Sequence, residues 1–153
     1  NLMTKKLLAL SAAALAAVSA TAHAQFAKPE DAIRYRQSAY VIMGNQMGRI
    51  AAQLKSDKPD VALIQRSAGI VDFVSQLPGE GYVPGSEKGG NPPTRAKAEI
   101  FTDPKVRDIA KSMRTEVTKL VEVSKGGDVA AMRKQFQATV DSCNACHDDY
   151  RNK

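Results

Sequence analysis

Near the end of the chain, two thiols and an imidazole stand within five residues, Cys143-Asn144-Ala145-Cys146-His147. On a helix, Cys143 and Cys146 lie about one turn apart on one face. Each thiol can then add to one of the two vinyl groups on a porphyrin edge and form a thioether. The adjacent His147 stands under the ring, where a neutral imidazole nitrogen can bind iron. Cys-x-x-Cys-His is the attachment pattern of a c-type haem. Three other uses of these residue types each lack a requirement. Tetrahedral zinc needs four ligands, whereas the sequence holds two cysteines and one further histidine, His23. A thioredoxin-type pair belongs to a βαβ setting, and no strand-alternating stretch precedes these cysteines. A disulfide across so short a loop would remove little unfolded-state entropy.

The elements that must position this motif are helical. Prolines and glycines divide the chain into four segments of 3.6-residue periodicity. The first is expected over about Pro29–Lys55, with proline at N1 and Glu30 and Asp31 at the positive end of the dipole. Its inward seam reads Ile33, Arg36, Tyr40, Met43, Met47, Ile50, Leu54, apolar apart from Arg36. The second, about Pro59–Leu77, places Val61, Ile64, Ala68, Val71, Val74 and Leu77 on one side. The third opens at Asp103-Pro104 as cap and N1 and carries Val106, Ile109, Met113, Val117 and Leu120. The fourth, from about Asp128, aligns Val129, Met132, Phe136, Val140, Cys143, His147 and Tyr150. Residues 78–102 form the one long loop, a length that tends to be functional or mobile. Four amphipathic helices without a strand candidate predict an all-α, antiparallel up-down-up-down four-helix bundle. With no tryptophan and only 5% aromatic residues, its core would gain from a large apolar prosthetic group.

Residues 1–24 read as a secretory signal peptide: a basic start, an apolar run from Leu7 to Val18, and Ala22-His23-Ala24 before the expected cut. The apolar run is short of the ~20 residues that a membrane span needs. Met3 reads as the initiator and residues 1–2 as extraneous. Cleavage removes two lysines, so the formal charge falls from 22 − 16 = +6 to 20 − 16 = +4. The remaining basic residues are interspersed with acids, which argues against a nucleic-acid or membrane surface. Residues 25–153 make one domain, expected in the periplasm.

Antiparallel geometry also places the far side of the haem. His147 lies ~7–8 Å from the end of its helix, which matches the depth of residues 34–40 on the first helix, so Arg36 or Tyr40 faces the ring. Arg36 either extends its head into water or pairs with a haem propionate in two-pronged fashion. Arg151, one turn after His147, either places positive charge beside the imidazole or frays into solvent. No methionine follows His147; a sulfur ligand would have to be Met43, Met47, Met113 or Met132, although methionine at helical spacing usually fills a core. The alternative is an open distal face walled by Tyr40 and Met43.

Arg36-Gln37-x-x-Tyr40-x-x-Met43 together with Cys143-Asn144-Ala145-Cys146-His147-Asp148-x-Tyr150-Arg151 resembles the cytochromes c′, class II c-type cytochromes built as up-down bundles. The resemblance spans Gln25 to the end. It implies periplasmic homodimers packed through their first two helices, with one covalent haem c per chain and pentacoordinate iron that binds nitric oxide and carbon monoxide. It also implies that Arg36 and Gln37 approach the propionate edge, that Tyr40 blocks the distal side, and that Thr94 lies on a haem-edge segment. Where relatives carry a bulky aromatic after Leu77-Pro78, this chain has Gly79 and Glu80, so a more open rim is expected. The leading reading is a gas-binding haem protein with some electron-transfer capability; the alternative is a low-spin, methionine-ligated electron shuttle. A haem enzyme such as a peroxidase needs distal acid–base groups that this seam does not offer, and no enzymatic activity is expected.

Overall fold

The computed structural model describes residues 25–153, and the expected export segment 1–24 lies outside the described residues. Four helices account for most of the chain: α1 (Pro29–Lys55), α2 (Val61–Val74), α3 (Lys105–Lys125) and α4 (Val129–Tyr150). Helix α1 begins and ends where proline and the charge pattern place it, with Pro29 in the first turn beside Glu30 and Asp31. Helix α2 is shorter than its periodic stripe. Asp60 accepts from Leu63 N at 2.9 Å, so Pro59 stays outside the cap, and turns carry the chain from Ser75 to Leu77. Asp103 starts α3 as expected in kind, its carboxylate accepting from Lys105 N at 2.9 Å, although the first regular residue comes after Pro104. Asp128 caps α4 through Ala130 N and Ala131 N.

Helices adjacent in sequence pack along their lengths, whereas α1 and α4 barely touch. The core falls into two halves. One joins all four helices through Ile50, Leu54, Ile64, Ala68, Leu120 and Met132, with Val129 and Phe136 against them. The other, around Ala39, Met43, Val71, Val74 and Val117, has no contributor from α4. That second half lies at the depth where α4 carries its cysteines.

The long loop is ordered by its contacts rather than by regular structure. It holds two single 3-10 turns, Pro78–Gly81 and Ala98–Phe101. The first lies so close to α1 that a Cβ on Gly81 would stand 2.8 Å from Ala32 O. Gly90 has φ +88°, and a Cβ there would meet Ile33 Cγ2 at 2.7 Å. Within the loop, Ala96 forms an isolated antiparallel bridge with Arg151.

Candidate haem site

Arg36 is the centre of the loop's attachment. The residue is 2% exposed. Nη1 donates to Gly81 O at 2.6 Å and Ser86 Oγ at 2.8 Å. Nη2 donates to Ser86 O at 2.7 Å and Thr94 Oγ1 at 3.0 Å. Its carbon stands 4.6 Å from the Tyr82 ring centroid and 5.6 Å from that of Phe101. The head is therefore neither in water nor free for a two-pronged grip on a propionate: all four terminal N–H groups bind the loop, and only Nε remains. Loss of water lowers its pKa, opposed by Tyr82, Tyr40 and Glu87, yet a guanidinium stays charged. Gln37 serves the same loop, its amide donating to Pro92 O at 3.0 Å. Arg36, Gln37 and Thr94, singled out separately as haem-edge residues, are thus brought together by this segment.

One turn along α1, the Tyr40 hydroxyl lies 3.2 Å from that of Tyr82. Burial first, then Tyr82, raises the Tyr40 phenol well above its ordinary value. Tyr82 is raised by burial as well. Cys146 on α4 adds to the rise of both phenols. Tyr82 was not singled out in the sequence; an aromatic in a Gly/Pro-rich loop was its only signal. It supplies the aromatic ring that Gly79 and Glu80 do not. Met43 is 7% exposed and packs in the half of the core that lacks α4.

On α4, Cys143 and Cys146 are half-buried and unpaired. Burial pushes both thiols up, aided at Cys146 by Cys143 and Asp149. His147 is lowered, first by loss of water and then by Arg151, with Asp148 opposing and Arg95 adding to the decrease. The neutral imidazole, the form that binds iron, is accordingly favoured. Arg151 does not continue the helix: at φ −120°, ψ 131° it is extended. Its backbone is held by the bridge to Ala96, with Asn152 N donating to Arg95 O at 2.8 Å, so it is solvent-exposed without fraying. Arg95 carried no signal in the sequence. Tyr150 is buried, and its hydroxyl donates to Asp103 at 2.7 Å.

These residues fit a covalent haem. The thiols line a seam where α1 and α4 stand apart, beside the half of the core that α4 leaves without an apolar partner. Cys143 and Cys146 would hold the macrocycle edge and His147 the iron. No alternative set of three or more His, Cys, Asp or Glu side chains gathers into a metal site among the described residues.

Known proteins agree. The family model described as cytochrome c′ matches residues 31–151. A cytochrome c′ of Alcaligenes xylosoxydans xylosoxydans is 36% identical over 131 residues, covering 84% of this chain and 99% of that protein. A solved cytochrome c′ with ligand-controlled dimer dissociation superposes with TM-score 0.79 at 30% identity, covering 84% of this chain and 99% of that one. A ferrous variant of the Alcaligenes xylosoxidans protein with bound NO gives TM-score 0.76 at 34% identity, with 84% and 99% covered. With two thiols and an imidazole at attachment spacing on the last helix of a four-helix bundle, the chain belongs to the cytochrome c′ family and carries covalently attached haem c.

Proposed function

We propose that this protein is a periplasmic haem protein whose iron is high-spin and five-coordinate, with His147 as its single protein ligand, and that it binds nitric oxide and carbon monoxide on the opposite face. The observation that carries this reading is the burial of Met43 among Ala39, Val71, Val74 and Val117, which commits its sulfur to core packing. The other methionines do the same: Met132 is buried in the opposite half of the core, and Met47 and Met113 pack against it or its counterpart. The remaining distal candidate, Tyr40, is kept protonated by burial, and a neutral phenol is a poor iron ligand. The NO-bound relative adds support for diatomic ligands.

The haem supplies the iron that binds gas; this chain's residues shape access to it. Tyr40 and Met43 wall the distal side, and among the described residues no acid–base histidine stands beside them. The protein is accordingly proposed to be a binding and electron-transfer protein rather than an enzyme. The export pattern of residues 1–24 supports the periplasm as its location. No helix among the described residues is long and apolar enough to cross a membrane.

We also propose a homodimer through α1 and α2. Exposed apolar side chains stand on both, with Val41 71% and Phe73 67% exposed and Ile42 exposed as well. A patch of this kind marks an interaction surface. Because Tyr40 and Val41 are sequence neighbours on α1, ligand binding at the haem couples to that interface; in the relative described above, dimer dissociation is ligand-controlled. Equal sedimentation of the free and carbon monoxide-bound forms would count against the coupling.

The visible spectrum of the reduced protein tests the coordination. A broad high-spin band, with a Soret shift on adding carbon monoxide, is expected. Sharp α and β bands that disappear in Met43→Leu would favour the methionine-ligated electron shuttle instead.

A further inference from the structure

Tyr82 is fixed at both ends. Its ring lies 4.6 Å over the buried Arg36 guanidinium, and the Phe101 ring meets it edge-on at 5.4 Å. Arg36 is itself immobilised by four hydrogen bonds to the loop. The Tyr82 hydroxyl reaches Tyr40 at 3.2 Å, and neither hydroxyl has another protein partner among the described residues. Tyr40 is different: among the described residues no cation or second ring clamps it, and rotation about its side-chain torsions can carry the phenol out of the cleft. Tyr82 cannot follow it without leaving the cation. Swinging Tyr40 aside therefore costs the phenol–phenol hydrogen bond.

We propose that Tyr82 is a positioning residue for gas binding: its hydroxyl holds the Tyr40 phenol across the distal side of the haem, and a diatomic molecule reaches iron when that one bond opens. The proposal rests on Tyr40 being the distal wall. It assigns Tyr82 the rate of entry rather than the affinity of the iron itself. Both phenols are kept protonated by burial, so the hydrogen bond persists through neutral pH.

The test is the rate of carbon monoxide association with the reduced, haem-loaded protein and with Tyr82→Phe, Tyr40→Phe and the double variant. Phenylalanine keeps each ring, so the stacking on Arg36 and the steric wall remain while the hydrogen bond is lost. Each single variant is expected to bind carbon monoxide about two- to tenfold faster, the worth of one neutral hydrogen bond. The double variant should gain no more than either single one, because the same bond is removed in all three. The spectrum before carbon monoxide is added should not change. A Tyr82→Phe rate equal to that of the parent, or gains that multiply in the double variant, would overturn the proposal. If Tyr82→Phe does not load haem, Tyr40→Phe against the parent decides it by the same criterion. A parent that binds no carbon monoxide refutes the five-coordinate reading instead, which separates the two failures.

Discussion

Replacing Arg36 by methionine is the most informative perturbation, because the side chain acts on the loop, the aromatic pair and the edge of the haem cleft together. Methionine keeps an apolar stem of similar reach and removes the donors. Of the four acceptors, two have other partners: Ser86 Oγ donates to Val83 O at 2.7 Å, and Thr94 Oγ1 accepts from Ala96 N at 3.3 Å. The two carbonyls fare worse. Gly81 O keeps one long contact to Ser86 Oγ at 3.4 Å, and Ser86 O loses its Arg36 donor outright. Stranding a buried acceptor costs ~1–3 kcal/mol, and losing the cation over Tyr82 adds about 1 kcal/mol. Those terms come to about 2–4 kcal/mol, and relief from the cost of desolvating a guanidinium brings the net loss to about 1–3 kcal/mol.

That is a large share of the ~5–15 kcal/mol that holds a domain together, so the variant should show a clearly lower urea midpoint by circular dichroism. Arg36→Lys should fall between, since an ammonium retains the charge but lacks the planar fork and the stacking surface. The damage should also be local. Lys88, Arg95 and Lys97 lie in the loop, and trypsin should cut there first in Arg36→Met under conditions that leave the parent intact. A variant within ~0.5 kcal/mol of the parent, the range of ordinary surface substitutions, with unchanged loop cleavage, would refute the assignment of Arg36 as the loop's anchor.

Gly81→Ala places a methyl 2.8 Å from Ala32 O and 3.0 Å from Arg36 Cβ; a loss of about 1–3 kcal/mol is expected in urea titration, with the same loop cleavage as in Arg36→Met. Tyr150→Phe removes the bond that holds the Asp103 carboxyl below its ordinary range and pushes the Tyr150 phenol up to about 12. The depressed Asp103 contributes stability above its unfolded pKa that is lost as pH falls through the folded one; the raised phenol contributes stability below its unfolded pKa that is lost as pH rises through about 12. Thermal melts of Tyr150→Phe should accordingly depend less on pH at both extremes than those of the parent. In the chain with Cys143→Ser and Cys146→Ser, hydrogen exchange should stay slow around Ile50 and Leu120 and speed up around Ala39 and Val117, because only the first half of the core is closed by α4 side chains.

Regular elements were legible because their causes are local. Asp103 and Asp128 each mark a helix start through backbone N–H groups a few residues away, Pro29 with its acids marks the start of α1, and the seam of α1 follows from spacing alone. Cys143, Cys146 and His147 were legible for the same reason, being one turn of one helix. The use of Arg36 was not. A charged residue on an apolar seam announces a buried partner, but its acceptors lie 45 to 58 residues away, and two of them are backbone carbonyls that any sequence could supply. Arg151 was placed on the face of His147 by continuing α4 one residue too far; the bridge to Ala96 draws the backbone out of the helix, a contact between two segments with no pattern in common. Tyr82 escaped notice because its meaning depends on Arg36 and Tyr40 both being in place.

The loop and the haem solve one geometric problem between them. Helices α1 and α4 are first and last of the described helices and barely touch, so no short connection sets their separation at the end where the cysteines lie. The loop does this instead. One part of it is bound to α1, through Arg36 to Gly81 and Ser86 and through Gln37 to Pro92. Another is bound to the end of α4, through Lys97 N to Tyr150 O at 2.9 Å and Asn152 N to Arg95 O. Thr94, which Arg36 also holds, lies between these two attachments. The segment therefore runs across the open seam as a tether of fixed length, and the width of the cleft is determined by side chains of α1 rather than by helix-to-helix packing. A chain that packed α4 directly onto Ala39 and Val117 would have a better-filled core and no room for a macrocycle. By leaving that wall to thioether-bound haem, the bundle makes the group that binds gas a structural member, with the residues that fix the loop also fixing what stands over the iron.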